Sequence, residues 1–314
     1  MFPSRKRHNL PGVSVAVPRT LLVTADDFGI GPNTSRGILD LAQRGVVTST
    51  VLLVNSPYAA EGVAEWRTQG CPVELGWHPC LTLDAPILPA KQVPSLVGVD
   101  GRFLPLGSFL KRMVRGRIAS AEIEAEFRAQ LQRYLELVGE PPANVNAHHH
   151  VHIFGPVGRA LRHVLRDLEP KPFIRRVREP MRTLAGIRGA RIKRLALNRF
   201  GRKAAKLQAA EGFPGTEWLL GITDPPFVHR DEFFAEWLAA APGAMLELTC
   251  HPGILDATLE GRDGSLVDGQ LHRRQREYQL LSQPAFADAV RQAGFEFREA
   301  SGLIRPRELA RLAG

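Results

Sequence analysis

The sequence predicts an α/β protein built on a parallel β-sheet, either open or closed into a barrel. Short apolar, β-branched runs alternate about seven times with longer stretches of helical periodicity, which is typical of repeated strand–helix units. The chain has 314 residues, of which 44% are hydrophobic, and this suits one large core better than two small ones. No apolar run approaches the ~18 residues that cross a bilayer.

The predicted strands are short and rich in β-branched residues. In chain order they are Thr20–Ala25, Val47–Val54, Val73–His78, Asn144–His149, Phe173–Arg178, Ala244–Cys250 and Phe295–Arg298. The segments between them have the apolar spacing of helices. These predicted helices are Thr34–Arg44, Ala59–Gln69, Ala121–Val138, Pro156–Leu168, Arg230–Ala240, Gln275–Leu281 and Ala285–Ala293.

The Ala121–Val138 stretch is the clearest helix, with one apolar stripe and with Ser120 as a plausible N-cap. The Asp84–Gly107 span is rich in Pro and Gly and lacks strong periodicity. Loops of that length are uncommon inside a compact domain unless they cover a site. We therefore expect this span to lie over a functional pocket.

Residues 1–19 are basic and lack the continuous apolar segment of a signal peptide, so we expect a flexible arm and a cytoplasmic protein. The rest of the chain, 20–314, is predicted to be a single catalytic domain. Cys71, Cys80 and Cys250 show no C-x-x-C spacing, which argues against a disulfide framework or a thiolate zinc site. We expect reduced thiols in or near the core.

The net charge of +9 has a local source. Met181–Ala210 contains nine Lys/Arg and no acid, so the rest of the chain is roughly neutral. That distribution argues against a general nucleic-acid surface. One hypothesis is a partly helical segment that faces an anionic membrane, and the alternative is an ordinary helix with a solvated cationic face. Its imperfect apolar side would consist of Leu184, Ile187, Leu195, Phe200 and Leu207.

Polar residues follow four of the predicted strands at their carboxyl ends, where parallel α/β folds bind ligands. Asp26 and Asp27 follow the first strand, His78 closes the third, and His251 follows the sixth. The fourth segment, His148–His152, holds four histidines within five residues. Taken alone, each group could be a polar turn or a structural histidine, but their common placement favours one shared site.

This set of side chains suits a divalent metal with open coordination positions. Such an ion can lower the pKa of bound water from ~15.7 towards ~7. If the histidine segment is extended, His148, His150 and His152 share one face and His149 points the other way. The spacing alone does not decide which of them binds metal, and Cys80 is a weaker alternative ligand.

Several motifs together resemble the YdjC-like carbohydrate deacetylases (the ChbG/HpnK family). The resemblance extends from Leu21 to about Gly302. The motifs are TADDFG at Thr24–Gly29, the G-x-H and L-T pairs within Gly76–Thr82, HHHVH at His148–His152, and E-x-x-x-H-P at Glu247–Pro252; Gly37–Asn55 is also similar. The resemblance implies a (β/α)-barrel-like single domain related in layout to polysaccharide deacetylases. It also implies an enzyme, a metal-dependent hydrolase that removes an N-acetyl group from an amino sugar.

Carried over to this sequence, the resemblance implies that Asp27, His78 and His148 hold one divalent ion, Mg or Zn. Asp26 corresponds to the base, and His251 stands where a second acid/base group is expected. We expect the remaining site residues to bind substrate or to orient the ligands. They are His150, His152 and Trp77.

The Asn146-Ala147-His148 sequence is closer to the hopanoid-associated branch of the family than to the chitooligosaccharide branch. The expected substrate is therefore an N-acetylated oligosaccharide or a hopanoid-linked glycoside. The alternatives are another metal-dependent amidohydrolase, a phosphoesterase, or a non-enzymatic sugar- or metal-binding protein. A homodimer is also compatible with the sequence.

Overall fold

The computed structural model describes residues 19–263 and 269–304. Within them, eight strands form a single parallel sheet. The strands are β1 (Arg19–Phe28), β2 (Ser49–Leu52), β3 (Leu75–Trp77), β4 (Asn144–Val145), β5 (Phe173–Ile174), β6 (Trp218–Leu220), β7 (Met245–Cys250) and β8 (Phe295–Phe297). Their order is β5-β4-β3-β2-β1-β7-β6, and β8 pairs with the first residues of β1.

Helices connect the strands and pack on the outside of the sheet. They are α1 (Pro32–Gln43), α2 (Ala59–Thr68), α3 (Leu106–Val114), α4 (Ser120–Val138), α5 (Gly155–Leu165), α6 (Met181–Gly186), α7 (Arg191–Ala210), α8 (Phe233–Ala240), α9 (Gln270–Ser282), α10 (Pro284–Gln292) and α11 (Ala300–Ile304). Short 3-10 turns occur at Ala90–Gln92, His148–Ile153, Pro225–Phe227 and Ala257–Leu259. No helix among the described residues is both long and apolar enough to span a bilayer.

Strand β1 runs through the middle of the sheet and is buried from Leu21 onwards. Side chains alternate across a strand, so Leu21, Val23 and Ala25 join the main apolar core while Asp26 falls on the other face. Arg175, at the end of β5, reaches Asp26 although three strands separate β5 from β1. The sheet must therefore curl, and this confirms the predicted (β/α)-barrel-like domain.

The predicted strands and helices are all present, but several strands are shorter than predicted, and β6, α3 and α11 were not predicted. Strand β6 consists of three residues, too few for a periodic signal. Helix α3 begins in the last two residues of the Pro- and Gly-rich span, whose lack of periodicity gave no helix prediction. Ser120 is the first residue of α4 rather than its N-cap, because Ala119 holds the extended cap position.

The histidine segment is not extended, which corrects the prediction of a strand through His149. Strand β4 ends at Val145, and His148–Ile153 forms 3-10 turns in which His149 and His150 have φ of 55° and 57°. The two-residue alternation of a strand therefore does not apply, and these histidines point in several directions.

Buried polar side chains of α4 hydrogen-bond to the backbone of the Asp84–Gly107 span and of Cys80 shortly before it. Glu126 accepts hydrogen bonds from the backbone N–H groups of Ile87 and Leu88, at 2.9 and 3.0 Å. The Gln130 side chain accepts a hydrogen bond from the Cys80 N–H at 3.0 Å and donates one to the Cys80 carbonyl oxygen at 2.7 Å. Because backbone groups that leave water need such partners, these bonds fix the path of the chain after β3.

The basic segment is helical, as predicted, but its apolar side is not where the sequence suggested. Leu184 and Ile187 are buried, whereas Leu195, Phe200 and Leu207 are exposed. The cysteines also divide: Cys80 and Cys250 are buried, but Cys71 is exposed, contrary to the expectation for all three. The predicted arm, residues 1–19, lies outside the described residues except for Arg19.

Candidate active site

The predicted site residues meet at the carboxyl ends of the strands, in a cavity of about 1020 Å³. Asp26 and Asp27 come from the end of β1, His78 follows β3, His148 follows β4, and His251 follows β7. All five line the cavity. The separate segments that carry the motifs therefore build one pocket.

Asp27 is the centre of a compact group of possible metal ligands. Its Oδ1 lies 3.2 Å from Nε2 of His78 and 2.9 Å from Nδ1 of His148. One ligand atom from each of the three residues lies within 4.8 Å of the others, and all three side chains are buried. Two ligands at right angles on an ion, each ~2.1 Å away, are ~3.0 Å apart, so these separations fit a metal site.

The surroundings of this group also fit metal binding. Nδ1 of His78 donates to the carbonyl oxygen of Asn146 at 2.6 Å, which leaves the Nε2 lone pair free for an ion. The buried Nε2 of His148 has no hydrogen-bond partner among the described residues. Burial alone would raise the pKa of Asp27, but Arg274 and His148 outweigh burial and hold the pKa well below its usual range. The carboxylate is thus ionised, as a ligand must be.

A second group overlaps the first. His148, His149 and Asp263 also offer ligand atoms within 4.8 Å of one another, and Nε2 of His148 is 3.9 Å from the Asp263 carboxylate. Arg274 bridges the two groups, since its guanidinium lies 2.6 Å from both Asp27 and Asp263. Asp263 and Arg274 therefore belong to the site, although neither residue was predicted to do so.

Asp26 is an ionised and firmly oriented carboxylate. Arg175 donates to both of its oxygens at 2.5 and 2.9 Å, and the Thr249 hydroxyl donates at 3.1 Å. Burial opposes ionisation, but the charge of Arg175 outweighs it and lowers the pKa of Asp26 strongly. Arg175 also pairs with Glu247 at 2.8 Å, so one guanidinium serves two buried acids.

His251 lies opposite Asp26, with 3.9 Å between its Nε2 and the Asp26 Oδ2. Arg273 donates to Nδ1 at 3.2 Å, which leaves the ring proton on Nε2. Burial and the charge of Arg273 lower the pKa of His251 to about 4. These surroundings therefore favour the neutral form of the ring.

The residues expected to bind substrate or orient ligands take different places. His150 lines the cavity. His152 is buried, accepts from the Ala147 N–H at 3.2 Å and contacts the Arg175 carbonyl, so it holds the ligand loop in shape. Trp77 is fully buried, packs edge-on against Phe127 at 5.9 Å and is not among the residues that line the cavity. Substrate contact is therefore not observed for Trp77, whereas support of the adjacent ligand His78 stays a prediction.

Cys80 is not a ligand in this arrangement. Its thiol contacts the Leu83 carbonyl oxygen at 3.7 Å, and burial raises its pKa to about 12. A thiol with that pKa stays protonated at neutral pH, whereas metals bind the thiolate.

The outer part of the cavity is apolar. Helix α3 contributes Leu106, Leu110, Met113 and Val114 to one wall. Phe154 and residues of α7, including Leu197 and Phe200, form the facing wall. The pocket thus joins a charged floor, where hydrolysis could take place, to an apolar entrance.

Comparison with known proteins agrees with this geometry. A chitooligosaccharide deacetylase of Yersinia pestis (strain Pestoides F) is 28% identical over 279 residues, covering 88% of this chain and 96% of its own. A carbohydrate deacetylase of Enterococcus faecalis (strain ATCC 700802 / V583) is 27% identical over 290 residues, with coverage of 88% and 95%.

A crystal structure from Enterococcus faecalis V583, provisionally described as a cellobiose-phosphate cleavage protein, has the same fold. It superposes with a TM-score of 0.71 at 25% identity and covers 91% of this chain and 99% of its own. The YdjC-like protein family matches residues 20–292, which include every residue of the pocket described above. This chain therefore belongs to the family of YdjC-like proteins.

Proposed function

We propose that this protein is a metal-dependent hydrolase that removes an N-acetyl group from an amino sugar. The observation that carries the proposal is the pairing, in one pocket, of a three-residue ligand group with a separate ionised carboxylate, Asp26. The named deacetylases among the relatives support the same reaction class. A non-enzymatic binding protein would not need a second acid held in this way.

Asp27, His78 and His148 would hold one divalent ion, Mg or Zn. When bound, such an ion polarises the acetyl carbonyl and makes water acidic enough to react near neutral pH. Imidazole nitrogens favour zinc and carboxylate oxygens favour magnesium, so the mixed set is compatible with either.

Asp26 would accept the proton of the attacking water. Arg175 and Thr249 fix both carboxylate oxygens, so the acid is aimed without further reorganisation. Its low pKa makes it a weak base, which suits a water that is already acidified.

His251 would contact the departing nitrogen through its Nε2–H group. Its Nε2 carries the ring proton and faces Asp26 across the pocket. Because the free ring is neutral and its Nδ1 already accepts from Arg273, we propose that the departing nitrogen gains the proton that Asp26 took from the water, while the Nε2–H group of His251 donates a hydrogen bond to that nitrogen. An amide nitrogen must gain a proton to leave, and His251 is placed to orient it for that transfer.

The apolar walls favour one of the two substrate classes expected from the sequence. A chitooligosaccharide exposes hydroxyl groups along its length and would leave them facing Leu110, Met113 and Leu197. A glycoside with an apolar aglycone, such as a hopanoid-linked amino sugar, would bury that part against the same side chains.

The test is release of acetate from a panel of N-acetylated sugars, with Mg²⁺ or Zn²⁺ supplied in turn. We expect Asp26→Asn to lower kcat by roughly 10²–10⁴-fold, the usual contribution of a positioned base, while bound metal is retained. Asp40→Asn, on the surface of α1, is the matched control. No acetate from any N-acetyl sugar would overturn the proposal, and turnover of a phosphate ester instead would favour a phosphoesterase.

The substrate class is tested with alkyl N-acetylglucosaminides of increasing chain length. Each buried methylene should lower KM by about fourfold until the walls are covered, since burying one CH₂ contributes ~0.8 kcal/mol. If soluble chitooligosaccharides are the better substrates and chain length has no effect, the apolar aglycone is the wrong choice.

A further inference from the structure

Helix α7 has its polarity inverted relative to an ordinary surface helix. Its buried side carries the polar Arg194, Asn198 and Gln208 beside small residues and no large apolar side chain, while Ile192 is 88% exposed and Leu195 is 53% exposed; the small buried residues are Gly201, Ala204 and Ala205. Two of these buried polar groups are held by hydrogen bonds: Arg194 pairs with Glu179 and donates to backbone carbonyls, and the Asn198 side-chain oxygen accepts from the Glu179 N–H at 3.1 Å. The protein thus keeps apolar side chains outside although polar ones occupy the inside, which calls for an apolar partner.

The exposed apolar residues of α7 are continuous with the pocket wall. Ile192, Ala196 and Phe200 follow one another at four-residue steps and so form one row on the helix. Ala196 and Phe200 line the cavity, and Phe200 is still 46% exposed. The row therefore runs from inside the pocket to its outer rim.

Helix α3 provides a similar edge on the facing wall. Val114 lines the cavity and is 84% exposed. Lys111, Arg115 and Arg117 are exposed next to it. Both helices at the mouth thus combine outward apolar side chains with positive charges.

The charge of the mouth is strongly one-sided. Arg199, Arg202, Lys203 and Lys206 are exposed on α7, and no acidic residue lies between Met181 and Ala210. Within the described residues, Lys193 is the exposed cation of this helix that pairs with an acid, Asp224 at 3.5 Å. An apolar surface ringed by cations is complementary to an anionic lipid bilayer, where apolar side chains enter the acyl boundary and cations stay among the headgroups.

We propose that the outer faces of α3 and α7 dock this protein on an anionic membrane, with the pocket opening towards the lipid. A substrate with an apolar part could then pass from the bilayer past Ala196 and Phe200 to the charged floor without crossing water. The docking itself does not depend on the chemistry, whereas this account of substrate entry rests on the proposed function.

The test is co-sedimentation of the full chain with phosphatidylcholine vesicles and with vesicles that also contain phosphatidylglycerol, at low and high salt. Wild type should sediment with the anionic vesicles and be partly released by salt. The double variant Arg199→Glu/Lys203→Glu should lower the partition coefficient by at least tenfold, since each cation near such a surface contributes roughly fivefold. The control Arg291→Glu/Arg298→Glu makes the same charge change at the other end of the sheet and should bind like wild type.

The apolar contribution is tested with Ile192→Ser/Leu195→Ser, for which we also expect at least about a tenfold loss because two large side chains no longer enter the bilayer. Val99→Ser, at a fully exposed valine outside the pocket, is the control and should have no effect. Absence of binding to anionic vesicles at low salt would overturn the proposal. Normal binding of the serine variant would also overturn it, because the attraction would then come from charge alone and no apolar side chain would enter the bilayer.

Acetate release from a water-soluble substrate, measured without vesicles, separates this proposal from the proposed function. Neither Ile192 nor Leu195 lines the cavity, so the serine variant should keep wild-type turnover. Loss of vesicle binding with full turnover supports docking, while vesicle binding without acetate release from any sugar would remove the proposed function alone.

Discussion

Three residues of the pocket adopt left-handed backbone conformations that residues other than glycine rarely adopt. Asp27 has φ of 67°, and His149 and His150 have φ of 55° and 57°. Each such residue costs about 1–3 kcal/mol, and such strain is typical of functional sites. In this protein it turns Asp27 out of the direction of β1 and towards His78 and His148.

The first residue-scale prediction concerns the ligand group. Ala substitution of Asp27, His78 or His148 should lower metal affinity and activity together. The loss should exceed the roughly 10–100-fold seen when only a ligand's hydrogen-bond partner is removed. Equilibrium dialysis with Mg²⁺ and with Zn²⁺ measures this, and His163→Ala, on the outside of α5, is the control. Full metal content in all three variants would show that the assignment is wrong.

The second residue-scale prediction compares the two sides of a buried ion pair. Arg175→Met leaves Asp26 and Glu247 buried without a cation, which should lower the free energy of unfolding by about 3–5 kcal/mol. Asp26→Asn should cost clearly less, because Arg175 keeps Glu247 as its partner. Urea unfolding measures both, with the exposed Arg128→Met as control. Equal losses in the two variants would contradict this account of the charge balance.

At the scale of elements, α9 contributes charged side chains that contact the site residues at the strand ends. Arg274 reaches Asp27, Arg273 reaches His251, and Glu277 accepts from the His251 backbone N–H at 2.5 Å. One helix therefore positions both the ligand side and the proton-transfer side of the site. Its buried charged face explains why its sequence lacks a clear apolar stripe.

An element-scale prediction follows for the charge of α9. Arg273→Gln removes the cation next to His251, so the pKa of His251 should rise from about 4. It should stay below the ordinary ~6.5, because burial is the larger cause of the shift and remains. An NMR titration of the histidine ring measures the change. Arg276→Gln, on the same helix but paired with Asp231 at the surface, should leave His251 unchanged.

The site residues at strand ends could be predicted from the sequence. The residues that lie far along the chain from the site residues they contact could not. Asp26, His78 and His251 directly follow or close apolar runs, which made them recognisable. Arg274 is 247 residues from its partner Asp27, and nothing in its own neighbourhood marks it. Arg175 lies inside the predicted strand Phe173–Arg178, so a search for residues that follow strands did not mark it; the observed β5 ends at Ile174, directly before Arg175.

Helical periodicity was least informative where a helix buries polar groups. The apolar residues of α7 suggested an inward face, but the inward positions belong to Arg194 and Asn198. Gly201 explains part of this arrangement, because a Cβ there would lie 1.7 Å from the Val177 carbonyl oxygen. The helix sits directly on the backbone, where large apolar side chains would not fit.

At the scale of the whole molecule, the two ends of the sheet have separate tasks. The carboxyl ends carry the pocket, and the amino end of β1 is closed by Arg19. Its guanidinium donates to the carbonyl oxygens of Gly243, Ala293 and Ala241, at 2.8, 2.8 and 2.6 Å. One side chain thus joins β1 to the segments before β7 and β8. The strand–helix alternation predicted this layout, but not which residue closes it.

The whole-molecule prediction is that stability and activity can be changed independently at these ends. Arg19→Ala should lower the free energy of unfolding by about 1–3 kcal/mol, because several carbonyl groups lose a charged donor. It should leave kcat unchanged, since the pocket lies at the other end of β1. Thermal unfolding and acetate release measure the two effects, with Arg298→Ala as control. A parallel loss of kcat would mean that the two ends are coupled.

The unequal placement of the cysteines has a consequence for work on the purified protein. Cys80 and Cys250 are buried and their pKa values are raised, so neither reacts readily with oxidants or alkylating reagents. Cys71 is exposed, and aerobic storage can therefore join two molecules through it into a covalent pair. Such a pair would imitate a natural homodimer in size-exclusion chromatography. Subunit number should accordingly be measured under reducing conditions or on Cys71→Ser, which also leaves a chain without a reactive thiol for the later attachment of probes.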